Sequence, residues 1–388
     1  MPAWLPLLLG FMTAIGPLST DMYLPAFPAI EAGFGVPPGS AELTLATWFV
    51  GLSAGQLVQG TLGDRLGRRR PLLVGLWIYV LGSVGCAMST SIEMLAVCRC
   101  IAAFGGSASM VLPRAVVRDM ADGHEAARLM SRLMLVMGAA PILAPSLGGL
   151  MLGFGGWRPI FWFGAGYAVI SSLLVWRLLP ETLEPSRRLK LGPTQLLARY
   201  LQILREPSFL AHTAMGCAAM FLTFAYVGGA AGVFVGLYGL SPSAFAILFG
   251  VNAAGFILFS QFNPPLLLRL GPVRLVRIAT LALLAATLLL ALLAWSGLAP
   301  WWMLVPCIAV AMSFAAFVMP NAAVGALSRH AMQAGSASAL MGTLQFGVAG
   351  TSGFLLSHFA DGTARPMAAL MLLGAIGTVV AERRRPGA

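Results

Sequence analysis

Apolar blocks of about twenty residues, each closed by a short polar connection, recur from one end of the chain to the other, and a block of that length is what a helix needs to cross the hydrocarbon of a bilayer. Backbone groups at that depth meet no water and must bond within their own segment, so the blocks are helices. They are placed at 4–31, 42–62, 71–89, 92–114, 129–152, 157–179, 208–236, 242–265, 275–296, 300–321, 336–358 and 366–381. Only 10% of the 388 residues are charged and 59% are hydrophobic, whereas a soluble domain carries about a quarter charged residues. That is too little charge to coat a surface facing water, and it excludes a soluble binding module. The expected fold class is all-α integral membrane, with twelve transmembrane helices. The first block is long for a straight crossing, and Pro17, Pro25 and Pro28 are expected to bend it. The opening MPAWLPLLLGFM has neither the basic region nor the cleavage site of a signal peptide, so it is read as the start of that helix. Cys86, Cys98, Cys100, Cys217 and Cys307 all fall inside apolar blocks and are read as small core residues.

Charge sets the expected orientation, because lysine and arginine gather in the cytoplasmic loops of membrane proteins. Of the 24 basic residues, only Arg99, Arg158 and Arg365 lie outside the even-numbered connections and the tail. Both termini are therefore expected in the cytoplasm of a bacterium whose inner membrane holds the chain. The net charge of +11 is an orientation signal, and no nucleic-acid partner follows from it. The longest polar connection separates six blocks from six, giving an N-terminal six-helix bundle over 1–180, a cytoplasmic linker over 181–207 and a C-terminal bundle over 208–388. RLGRRR at Arg65 to Arg70 and RLGPVR at Arg269 to Arg274 occupy matching places after the second and eighth blocks. Two similar halves suggest a carrier with its site between them near the bilayer midplane.

Ionisable groups inside a membrane are costly and are functional candidates by default. Asp21, in LSTDMYLPAFP, and Arg99, in CRCIAAFGG, stand in the first and fourth blocks; at 1.5 Å per helical residue they lie roughly 15 Å and 10 Å from the outer boundary, close enough in depth to meet. Desolvation disfavours the charged form of a buried carboxyl and a nearby cation restores it, so a changing Asp21–Arg99 distance would change proton affinity. The static alternatives are that Asp21 caps a broken helix and that Arg99 snorkels to the interface.

GTLGDRLGRRRP, Gly60 to Pro71, is the most specific local signal. Gly63 and Gly67 permit a tight turn, Asp64 can accept from basic side chains, and Arg65, Arg68 and Arg69 hold the loop in the cytoplasm. A plain basic turn explains the arginines but not the Gly-Asp-Arg-x-Gly spacing. In MGAAPILAPSLGG the small and bending residues Gly138, Pro141, Pro145, Gly148 and Gly149 suit a helix that closes and reopens a cavity. The expected wall of that cavity is aromatic: Tyr23, Trp48, Phe49, Phe224, Tyr226, Phe256 and Phe346, with Asn252 as a hydrogen-bonding group. Soft, repackable side chains favour broad apolar recognition, although ordinary interhelical packing would explain any one of them. His124, His212, His330 and His358 are scattered, with no HExxH or GxSxG arrangement, so an enzyme, a metal and a cofactor are not expected.

Together these segments resemble the major facilitator superfamily, and within it the drug:proton antiporters of the bicyclomycin- and chloramphenicol-resistance (Bcr/CflA) type. LSTDMYLPAFP resembles the first-helix motif of that group, GDRLGRRRP the superfamily's loop between helices two and three, MVLPRAVVRDM the end of its fourth helix, and APILAPSLGG, WRPIF and LPETL its later signatures. The resemblance implies two pseudo-symmetric six-helix bundles. It implies proton coupling through Asp21, with Arg99 as the polar anchor of the fourth-helix motif. It also implies a cytoplasmic latch of Asp64 and Arg65 with Arg114 and Arg118 as candidate partners, holding the halves together while the cavity faces outward. Ala102 and Ala103 stand where that motif usually has Gln and Gly, and Thr13 is in the stretch where some relatives carry a second acid. One embedded carboxyl on the first helix implies one proton per cycle and a weak fit to permanently cationic drugs. The expected function is proton-coupled multidrug efflux of small amphipathic molecules by a monomer in the lipid bilayer, powered by the proton gradient without a cofactor. A carrier dedicated to one metabolite, or a membrane subunit that transports nothing, remains the alternative.

Overall fold

The computed structural model describes residues 4–120, 143–188, 192–330 and 334–385, with isolated positions 129, 133, 136 and 140. Every regular element among them is helical. Counting membrane-length elements along the chain, α1 covers Leu5–Phe34, α2 Ala41–Leu66, α3 Arg69–Ala87, α4 Ile92–Met120, α5 the described stretch Leu143–Leu152 and α6 Arg158–Leu178. A connecting helix, Pro193–Leu204, leads to α7 at Pro207–Leu237, α8 at Pro242–Gln261, α9 at Asn263–Ser296, α10 at Trp301–Leu327, α11 at Ala334–Phe359 and α12 at Arg365–Arg383.

Prolines interrupt α1 as expected. Helical runs at Leu5–Thr13 and Ile15–Asp21 give way to a 3-10 turn at Leu24–Ala26 before Phe27–Phe34 resumes. Several helices outrun their apolar blocks: α2 continues to Leu66 and α4 to Met120, because polar residues prolong a helix once it leaves the hydrocarbon. The boundary near 265–275 is the clearest departure. The chain turns at Phe262 and α9 runs on from Asn263, broken only at Gly271 (φ 73°, ψ 161°).

Small residues decide which helices touch. A Cβ on Gly51 or Gly55 would strike the backbone of α4 at Cys100 or Phe104, and one on Gly82 would strike Ala102, so α2 and α3 lie close along α4. In the second half α7 lies against α11 and α12, and α9 against α10 and α12. Among the described residues the halves meet mainly where α2 runs beside α11. There Ser53 Oγ donates to the Thr343 carbonyl (2.7 Å) while Thr343 Oγ1 donates back to the Ser53 carbonyl (3.2 Å).

Candidate functional site

Between the halves lies a cavity of about 430 Å³. Its mouth is on the face that carries Arg65 to Arg70, where Asp64, Arg68, Arg114 and Tyr200 border it; its depth is lined by Gln56, Met110, Met220, Met341 and Gln345. Phe346 closes the deep end with Phe49 and Phe224, the Phe49 ring lying 4.2 Å from Phe224 and 5.9 Å from Phe346. Of the aromatic wall read from the sequence, Phe346 borders this space. Phe49 and Phe224 stand behind it, and Phe256 packs partly buried against the core. Tyr226 accepts from Asn252 Nδ2 (3.2 Å) and stacks on Phe249, inside the second half.

Tyr23 and Trp48 have a different place. Arg99, 2% exposed, lays its guanidinium 4.0 Å from the Tyr23 ring centre and 4.2 Å from that of Trp48, and its Nη1 donates to the Ser19 carbonyl (2.9 Å), just ahead of the break in α1. Aromatic faces supply part of the negative potential that a carboxylate would otherwise provide. Arg99 Nε and Nη2 have no hydrogen-bond partner among the described residues, and a small cavity of about 20 Å³ lies beside it, lined by Ser19, Tyr79 and Ser83, room for about one water. Asp21 is 7% exposed, at the end of the helical run before the turn. The ion pairs among the described residues do not join it to Arg99.

The loop after α2 is built around Arg68 rather than Arg65, which is exposed. Buried Arg68 pairs with Asp64 through Nη1 and with Asp119 at the end of α4 through Nε (2.7 Å). Glu181, just after α6, accepts from the backbone N–H of Arg68 (2.8 Å) and of Arg69 (3.3 Å), and Arg69 Nη2 donates to the Trp176 carbonyl. Gly67 makes the turn (φ 96°), and a Cβ there would enter the Glu181 carboxylate; Gly63 lies within α2, where a Cβ would strike Leu112. Asp64, 43% exposed on its side chain, faces the cavity mouth, with Arg114 across from it. The Arg118 side chain lies outside the described residues. The described members thus tie α2, α3, α4 and the segment after α6 together within the first half.

Of the expected antiporter segment, Gly138 and Pro141 lie outside the described residues, and Pro145 is buried in α5. A Cβ on Gly148 would collide with the Met22 carbonyl at the break in α1, and Gly149 faces the Pro242 carbonyl at the start of α8. That glycine pair lets α5 approach both α1 and the second half. Asp119 and Glu181 were not assigned roles from the sequence, although Glu181 stands in LPETL. A further buried acid, Glu42, stands in the first turn of α2, where the sequence gives no sign of burial.

Paired helical halves, a cavity between them open to one face and buried charges beside it define a polytopic membrane carrier. The model of the Major Facilitator Superfamily matches residues 9–354. The chain belongs to that superfamily, and it is a transporter rather than an enzyme. It is 31% identical to the chloramphenicol resistance protein of Pseudomonas aeruginosa, over 96% of this chain and 88% of that one. It is 29% identical to the bicyclomycin resistance protein homolog of Haemophilus influenzae, over 95% and 92%. Among solved structures it resembles the xylose transporter XylE from E. coli, with a TM-score of 0.70 at 14% identity over 98% and 95% of the two chains. A peptide transporter gives 0.75 at 13% identity over 98% and 93%.

Proposed function

We propose that this carrier is a proton-coupled antiporter that exports small amphipathic, drug-like molecules by alternating access. Relatives named for resistance to bicyclomycin and chloramphenicol support the substrate class. So does a cavity whose depth combines methionines, a phenylalanine and the amides of Gln56 and Gln345, soft walls with few fixed polar demands. The arginine-rich face is cytoplasmic, both termini lie on that side, and the membrane is the bacterial inner membrane. The unit is a monomer whose halves, 1–180 and 208–388, rock about the connecting segment.

The observation that carries the proton assignment is the separation of the two buried charges. Asp21 is buried and forms no ion pair among the described residues, while Arg99 is held by Tyr23, Trp48 and the Ser19 carbonyl. An acid so placed is stabilised in its neutral form by desolvation and in its ionised form by the approach of a cation. Rocking of α1 against α4 changes that approach, which lets Asp21 load on one side and release on the other. The Arg68 cluster and Arg114 stand at the cavity mouth, where they close it when the cavity faces outward. Asp21→Asn is expected to abolish efflux driven by a proton gradient in everted vesicles while the protein still reaches the membrane. Undiminished gradient-driven efflux in that variant would defeat the coupling assignment.

A further inference from the structure

The face opposite the arginines is sealed, and a carboxylic acid lies inside the seal. There the start of α2 and the loop before it meet the ends of α7 and α11. Gly39 (φ 90°) has no room for a side chain against Ala360, and a Cβ on Gly228 would stand 3.1 Å from Leu356 and 3.4 Å from Leu45. Glu42 sits in this contact, 6% exposed. Its Oε1 lies 3.5 Å from the place a Cβ on Gly232 would occupy, and its Oε2 lies 3.6 Å from the corresponding place on Gly39. The stretch of α7 it meets, Gly232–Leu237, winds as a π-helix, a form that recurs at functional sites.

No cation among the described residues balances this carboxyl. Oε2 has no hydrogen-bond partner, and the ion pairs among the described residues do not include Glu42. On α1 the group acting on it is Glu31, a like charge, whose Oε1 is already engaged by the N–H groups of Gly39 (2.8 Å) and Ala41 (3.0 Å). On α7 the titratable groups are His212, which engages the Ser208 carbonyl, Cys217, and Tyr226, which bonds Asn252. Beside the end of α11, His358 lies against the Phe354 and Phe359 rings, Asp361 accepts from Thr363, and Arg365 opens α12. An acid in the first turn of a helix is ordinary when exposed, since it complements the helix dipole. An ionised one closed into an interface without a partner is not, because its desolvation is uncompensated.

We propose that Glu42 is a second proton-binding site of the carrier, neutral while this face is sealed and ionised when it opens, so that acid outside favours closure. This rests on the antiport reading for its meaning. The proton that Glu42 takes up comes from the outer solution and returns there on reopening, so it is not transported and leaves the stoichiometry set by Asp21 unchanged. Its effect is a bias: a proton-rich exterior drives the carrier back toward the state that opens to the cell interior.

The test reads conformation rather than transport. Spin labels are placed at Pro38 and Gly236, both exposed beside the seal, in a variant whose five cysteines are replaced. Asp21→Asn is present throughout so that Asp21 cannot titrate. In lipid nanodiscs the open-to-sealed ratio is expected to rise with pH by up to about tenfold per unit above the ordinary glutamate range, as for one linked proton. Adding Glu42→Gln should remove that dependence and leave the sealed distance dominant at every pH, and Glu42→Asp should retain it. A pH response unchanged by Gln, or none in the Asp21→Asn protein, overturns the proposal. Either result stands apart from the vesicle assay, which alone decides whether Asp21 drives efflux.

Discussion

The two halves share a turn and differ in what stands behind it. Gly67 and Gly271 occupy the same place in RLGRRR and RLGPVR and nearly the same backbone conformation, φ 96°, ψ 172° and φ 73°, ψ 161°, one that only glycine adopts freely. Behind Gly67 a cation is surrounded by acids: Arg68 is buried between Asp64 and Asp119, and Glu181 takes the backbone N–H groups of the turn. Behind Gly271 an acid is surrounded by cations. Glu382, buried near the end of α12, meets Arg385 at 3.1 Å and Arg277 at 3.5 Å. The acids at the end of the sixth helix of each half, Glu181 just after α6 and Glu382 in the last turn of α12, are thus rough counterparts in position with different partners. Repetition preserved the backbone device that turns the chain, and the charge pattern around it diverged. The first half placed its cluster at the cavity mouth, whereas the second buries a Glu382–Arg385 pair that an exposed Arg277 joins from the surface.

From that contrast, the second half should suffer more from losing one charge. Glu382→Gln leaves buried Arg385 with no carboxylate and is expected to cost about 3 kcal/mol, as for breaking a buried pair. Asp119→Asn leaves Arg68 its bond to Asp64 and should cost about half as much. Thermal unfolding of the purified variants in detergent measures both, and equal losses would erase the distinction. The glycines give the next largest effect in the opposite order. Alanine at a position with positive φ and extended ψ, a conformation essentially confined to glycine, costs about 1–3 kcal/mol. At Gly271 nothing lies within 4 Å of the added methyl, while at Gly67 it enters the Glu181 carboxylate. Gly67→Ala should therefore lower the midpoint further than Gly271→Ala, and the reverse order would mean that the Glu181 contact yields without cost.

The helices were legible because each is a bilayer-length apolar block, and the break in α1 because three prolines mark it. RLGP has the local chemistry of a turn and Gly271 does break the helix there, but the pattern does not show the helix that precedes it, whose start is tied to α10 where Asn321 Nδ2 donates to Asn263 Oδ1 (2.8 Å). Asp21 and Arg99 stood out as charges in apolar surroundings, but their separation did not, because the choice between a carboxylate and the rings of Tyr23 and Trp48 is made by how α1, α2 and α4 meet. The same holds for Arg68. Its partners Asp119 and Glu181 come from chain segments roughly fifty and a hundred residues away, and nothing local in GDRLGRRRP distinguishes its role from that of Arg65. The burial of Glu42 is not legible, because a first-turn glutamate at a block edge looks like a solvated cap until α7 and α11 close over it.

Glu181 offers the smallest and most local probe of the contrast. Burial alone would raise the proton affinity of its carboxyl, but the N–H groups of Arg68, Leu183, Arg69 and Thr182 outweigh this and hold it below the ordinary glutamate range. A group depressed in the folded state contributes its stabilisation in full above its unfolded value, about 4.3, and loses it as the pH falls through the lower folded one. The turn at Gly67 should therefore stay equally ordered from about pH 8 to 5 and loosen only below about pH 4. Glu181→Gln should be loosened at every pH. Hydrogen exchange at the Arg68 and Arg69 amides, corrected for the intrinsic pH dependence of exchange, reads this directly, and amides at Gly271 should show no such acid transition. Loosening that began near pH 6 would assign control of the turn to some group other than Glu181, and the counterpart relation with Glu382 would lose its chemical basis.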